Sequence, residues 1–179
     1  MLTRVIALTC GDEETPQDVE VVFIDEHRRI STLTLNDLRP PNPKKEIQLQ
    51  ERASRDRKSF TDFLRKKRPE VAVVAGYSSH TKGLLTQVNA LIEDYNRRYR
   101  EDTEDEIDVL VVNDEVARLC KRDSQADKPW NMKFRDEADK LKRYCASIAR
   151  LVQTPLHEYT ALGDDTTLLD LHPMQRLVS

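Results

Sequence analysis

VAVVAG, residues Val71 to Gly76, is the stretch on which the fold turns. A run of apolar residues closed by glycine leaves no wet face. It predicts a strand buried on both sides, as in parallel pairing. Segments of helical period flank it. Upstream, Glu46 to Arg68 reads as a helix with Ile47, Ala53, Phe60, Phe63 and Leu64 facing inward. Downstream, Thr81 to Arg100 reads as a second helix, with Leu84, Val88, Leu91 and Tyr95 at i, i+4, i+7 and i+11. Another run, Asp108 to Val112 (DVLVV), reads as a further buried strand, and Asn113 or Asp114 stands where a helix cap belongs.

Before the first helix the pattern changes. Thr3 to Thr9 (TRVIALT), Val19 to Ile24 (VEVVFI) and Ile30 to Leu35 (ISTLTL) read as three strands joined by polar turns, the third with one face wet. Three prolines within residues 40–43 stop that meander. At the other end, Ala138 to Gln153 is a strong amphipathic helix. Leu141, Cys145, Ile148 and Val152 share a face, with Tyr144 and Leu151 adjoining. Its inward face is expected to cover the strands Val71 to Ala75 and Val109 to Val112. Thr154-Pro155 interrupts it before one or two further turns from Leu156 to Leu162. The order βββαβαβα predicts an α/β fold with a mixed sheet flanked by helices, the ribonuclease H-like arrangement.

Composition bounds the function. The chain has 179 residues, 34% charged and 6% aromatic, with a formal charge of -3. A balance this even argues against a dedicated polyanion binder. The longest purely apolar run, Val71 to Ala75, is far short of the roughly 20 residues of a membrane helix. The N-terminus turns acidic within MLTRVIALTCGDEE, without the apolar core of a signal peptide. These features argue against secretion and membrane insertion.

Local charge is less even. Lys44 to Arg68 holds ten Lys and Arg against four Asp and Glu, a local charge of +6. That is either a solvated helix face or a weak surface for nucleic acid or an acidic partner. Glu101 to Asp108 holds six acids in eight residues and is most simply a solvated loop. Lys121 to Glu137 is polar but carries Trp130 and Phe134, which either tuck against the domain or form a partner-docking site.

Cys10, Cys120 and Cys145 are odd in number and far apart, which fits a reducing compartment and predicts buried thiols rather than a disulfide or zinc framework. Lys121 and Arg122 beside Cys120 are placed to lower its pKa, but no base pairs with it. Ser78, Ser79 and His80 are neighbours on a loop, which rarely face each other as a nucleophile and base. The four His are too scattered for a metal pair, and P-loop, GxSxG and GxGxxG motifs are absent. Nothing in the sequence points to a cofactor or a small-molecule substrate.

Several strings resemble a known family. NDEVARLC (residues 113–120), LKRYCASIARLVQTPLHEYTAL (141–162) and LHPMQ (171–175) are similar to the transcription elongation factor suppressor-of-Ty six. RPEVAVVAGYSSHTKGLLTQV (68–88) resembles its preceding strand and helix. The similarity is to its YqgF domain, which is also present in bacterial Tex. On that resemblance, residues 1–170 form a YqgF-like domain and 171–179 begin a following helical segment. The resemblance implies a nuclear setting within a large protein that acts with the RNA polymerase II elongation complex and chaperones histones in chromatin.

The fold's nuclease relatives, among them the RuvC resolvases, hold two divalent ions with clustered carboxylates. The resemblance places the first-strand Asp of those enzymes at Thr9, within IALTCG, and the last-helix acid at Tyr144. Gly76 to His80 supplies no acid after the fourth strand. Asp114 and Glu115 alone resemble an acidic step of bacterial YqgF proteins, and Asp114 reads more plainly as a helix cap. Asp12 and Glu13 are displaced turn acids. The expectation is a degenerate, non-catalytic site without metal, in a scaffold and interaction domain. The competing readings are a RuvC-like nuclease and a nucleic-acid-binding module.

Overall fold

The computed structural model describes residues 1–11, 18–36, 38, 44, 47–76, 80–100, 105–122 and 125–162. The turn acids Asp12 and Glu13, the loop residues Tyr77, Ser78 and Ser79, and the segment 171–179 lie outside the described residues.

Five strands form one sheet in the order β3-β2-β1-β4-β5. They are β1 (Val5–Thr9), β2 (Val19–Ile24), β3 (Ile30–Leu35), β4 (Val71–Val74) and β5 (Asp108–Val111). The meander β1-β2-β3 is antiparallel. β4 returns parallel to β1 through helix α1 (Ile47–Lys67), and β5 returns parallel to β4 through α2 (His80–Tyr99). Helices α3 (Glu115–Cys120), α4 (Lys140–Gln153) and α5 (Pro155–Ala161) complete the order, which matches the α/β arrangement the sequence predicts.

Strand alternation sorts the core into two layers. Ile6, Leu8, Val21, Phe23, Ala72 and Val74 pack under α1 and α2 with Phe60, Leu64, Val88 and Ile92. Val5, Ala7, Val22, Ile24 and Val73 pack under α4 with Tyr144, Cys145 and Ile148.

Three expectations change. β5 is a sheet edge rather than a buried strand, with Leu110 41% and Val111 68% exposed. The run DVLVV reads as buried because its alternation is masked by apolar residues on both faces. Ile47 does not face inward; it is the first residue of α1, ahead of the buried Ala53, and is exposed. Helix α4 is not a two-sided amphipath, because residues 143–150 are all buried. The sheet covers one face, while α3, α5 and a 3-10 helix, Pro129–Phe134, cover the rest.

Candidate functional site

Strands β1, β4 and β5 all end on the same side of the sheet, which is where open α/β sheets build their sites. Thr9 closes β1. It has the parity of Val5 and Ala7, so its side chain lies on the α4 face, and it is 1% exposed. Its Oγ1 accepts the Gly11 N–H at 3.3 Å, a local turn bond that occupies the position of the expected carboxylate. Beyond β4 the chain leaves at Gly76 with φ 148°, where a Cβ would sit 2.5 Å from Thr81 Oγ1.

Asp114 follows β5, and Tyr144 descends from α4 to meet it. The Tyr144 hydroxyl donates to Asp114 Oδ2 at 2.8 Å. Arg118, one turn into α3, holds Oδ1 of the same carboxylate at 3.2 Å. Asp114 therefore does not cap α3 with its side chain, contrary to the plainer sequence reading. Asn113 takes that part, its Oδ1 accepting the Glu115 N–H at 2.8 Å. Glu115 lies on the first turn of α3, half-buried.

A third carboxylate escaped the sequence analysis. Glu20 of β2 stands directly opposite Thr9 in the β1–β2 register and shares the α4 face with Val22. Burial raises its pKa above the ordinary carboxylate range. The Thr34 hydroxyl, which donates to Oε2 at 2.8 Å, and the Lys142 cation act in the opposite direction. Lys142 is held by Asp139 at 3.0 Å, a hydrogen bond that raises its own pKa. Only the β1–β2 pairing places Glu20 beside Thr9. The isolated acid within VEVVFI is the one local signal.

A pair of divalent ions needs several ionised oxygen ligands aimed at one point. These residues do not fit that need. Thr9 is neutral, Tyr144 presents a protonated hydroxyl, and Asp114 is already paired with a guanidinium. Among the described residues no group of three His, Cys, Asp or Glu is placed to hold a metal ion.

The cysteines are buried. Burial pushes the Cys120 thiol up, and the nearby Arg150 charge offsets this only in part, so Lys121 and Arg122 do not activate it. Burial also raises Cys145, whose Sγ donates to the Ala7 carbonyl at 3.0 Å.

Behind α4 lies a second polar assembly. Arg143, Ser147 and Arg150 stand at i, i+4 and i+7, one stripe facing away from the sheet. Arg143 donates to the carbonyls of Cys120, Lys121 and Phe134 at 3.1, 2.7 and 2.7 Å. Two of those carbonyls lie at the C-terminal end of α3, where backbone oxygens lack helical partners and favour a cation. Arg150 pairs with Glu158 of α5 at 2.9 Å and reaches Asn131 Oδ1 at 3.1 Å. Burial opposes the Arg150 charge, but Glu158 outweighs it and holds its pKa above the usual value. The Ser147 hydroxyl also donates to Glu158. A charged pair at helical spacing inside an otherwise apolar helix was the visible signal for this assembly.

Phe134 is 2% exposed and belongs to the α4 layer, so it serves the core rather than a docking surface. Trp130, in the same 3-10 helix, is half-buried.

Comparison with known proteins adds a lineage to this geometry. The family described as YqgF, Holliday-junction resolvase-like of SPT6, matches residues 1–163. Transcription elongation factor SPT6 of Mycosarcoma maydis is 32% identical over 99% of this chain and 11% of its own length. SPT6 of Gibberella zeae is 36% identical over 71% of this chain and 9% of its own length. The spt-6 protein of Neurospora crassa is 33% identical over 67% of this chain and 9% of its own length. The chain thus spans about a tenth of the length of these relatives.

Proposed function

We infer function from the premise that this chain belongs to the YqgF family of SPT6: it is a non-catalytic scaffold domain of a nuclear transcription elongation factor. In that role it acts with the RNA polymerase II elongation complex and contributes to a factor that chaperones histones. The observation that carries the non-catalytic part is the capture of Asp114 between Tyr144 and Arg118, next to a first strand that ends in Thr9. A carboxylate hydrogen-bonded by a phenol on one oxygen and ion-paired with a guanidinium on the other has less left with which to attract a divalent ion. The family link and the three SPT6 relatives support the elongation-factor part.

Two assays test this reading. The purified chain is incubated with four-way junctions, RNA–DNA hybrids and single strands in Mg²⁺ or Mn²⁺, and its melting temperature is followed with each ion. The expected result is neither cleavage nor a metal-dependent rise in melting temperature, since a ligand bound only by the folded state must stabilise it. Metal-dependent cleavage that disappears in Asp114→Asn would overturn the scaffold reading. Pull-downs at two salt concentrations against histones, RNA polymerase II subunits and nucleic acid then identify which contact this domain makes.

A further inference from the structure

β5 is bound to the sheet on one side only. Its partner is β4, in parallel register from Val71↔Asp108 to Val74↔Val111. The Asp108 N–H donates to the Glu70 carbonyl at 3.3 Å. Bonding alternates along a parallel strand, so this bond sets the phase. Asp108 and Leu110 turn their N–H and C=O groups toward β4, and Val109 and Val111 turn theirs outward. Among the described residues no strand lies beyond β5.

The side chains leave this edge open as well. Leu110, on the α4 face, and Val111, on the α1/α2 face, are 41% and 68% exposed. Natural edges are usually blunted by Lys, Pro or an inward-pointing charge. The strand from Val109 to Val111 has none of these. The acids stand at its entrance instead: Asp105, Glu106 and Asp108 are exposed, at the end of a segment with six acids in eight residues. Arg100 contacts Glu106 at 3.8 Å and Arg4 and Arg68 line the same cleft, with Asp105, Glu106 and Asp108 exposed beside them.

We propose that the outer edge of β5 is a docking site for an extended peptide with consecutive apolar residues at its centre and Lys or Arg at one end. The peptide adds as a sixth strand. Its main chain bonds the outward groups of Val109 and Val111, its apolar residues cover Leu110 and Val111, and its cations face Asp105, Glu106 and Asp108. Charge complementarity favours this occupant over a second copy of the chain. Two copies paired in parallel would set acidic entrances against each other. Paired antiparallel, each entrance would meet Asp114 and Glu115 of the other copy.

The test uses this chain and two fluorescent peptides of about eight residues, enough to span β5 at roughly 3.3 Å per residue. One has a central Val run with Lys at one end, the other the same Val run with Glu at that end. Anisotropy reads affinity, and amide hydrogen exchange reads the contact. The Val/Lys peptide is expected to saturate, to slow exchange at Val109 and Val111, and to bind about tenfold more tightly than the Val/Glu peptide, with the preference fading at high salt. Val111→Pro removes an outward N–H without touching the β4 ladder, so it is expected to keep the fold and weaken binding about tenfold. Leu110→Lys, at an already exposed side chain, removes apolar cover and sets a like charge against the peptide, and is expected to weaken binding without altering the backbone. Equal binding of the two peptides, or binding unchanged in both variants, would refute the proposal. Concentration-dependent dimerisation that protects the same two amides would replace it with a second copy.

Discussion

The Tyr144 hydroxyl donates a 2.8 Å hydrogen bond to Oδ2 of Asp114, across 30 residues of sequence. It ties α4, which covers one face of the sheet, to the segment that follows β5. The phenol holds one oxygen of that carboxylate in a fixed hydrogen bond. Removing the hydroxyl with Tyr144→Phe is expected to cost about 1 kcal/mol, because Arg118 still holds the other oxygen. Urea midpoints measure the loss. Cleavage in Mg²⁺ should remain absent, since freeing one oxygen of Asp114 does not restore an acid at Thr9.

Arg150 and Glu158 form the buried ion pair that fastens α5 to α4. Arg150→Met leaves Glu158 charged and buried, and should cost about 3–5 kcal/mol, as should Glu158→Leu. The Nη1 of Arg150 has no partner among the described residues, so the pair is not fully repaid for its lost hydration. The double variant Arg150→Met/Glu158→Leu is therefore expected to recover most of the loss. A double-mutant cycle by urea denaturation checks the coupling.

Neighbouring aromatics should behave differently. Phe134 fills space beneath α4, and Phe134→Ala is expected to cost about 3–5 kcal/mol through the cavity it leaves. Ile148→Asp, in the same layer, introduces an unpaired charge where the side chain is fully buried, and should unfold the domain at ambient temperature. Trp130 is half-buried, and Trp130→Ala should lower the melting temperature by less than Phe134→Ala. A calorimetric ranking of the three variants tests the assignment.

Glu20 gives the stability a pH dependence of definite sign. Burial raises its folded-state pKa, so the folded chain holds that proton more tightly than the unfolded chain does. The associated stabilisation is complete below the unfolded carboxylate pKa and is lost as pH rises through the folded one. Glu20→Gln mimics the protonated form at every pH. Its stability relative to the parent should therefore rise from about pH 4 to about pH 7, read as the difference in urea midpoints. A flat difference would place the carboxylate in water.

Local sequence determined the elements of this protein. The alternation in VEVVFI and ISTLTL, the unbroken VAVVA and the i, i+4, i+7 spacing after His80 are each set by which residues an isolated segment can bury. The same strings carried the family resemblance, which the match over residues 1–163 bears out. What local pattern could not settle was which elements have neighbours. DVLVV reads as buried until sheet order leaves one side of β5 open, and YCASIARL reads as two-sided until α3 and α5 close over it. The site followed the same division. Thr9 and Tyr144 are singled out only by the resemblance, as positions where it leads one to expect acids. Glu20 beside Thr9, Tyr144 on Asp114 and Glu158 on Arg150 join residues 8 to 30 positions apart, through strand register or helix packing. Burial and pairing are properties of assembled surfaces, so only the tertiary structure decided them.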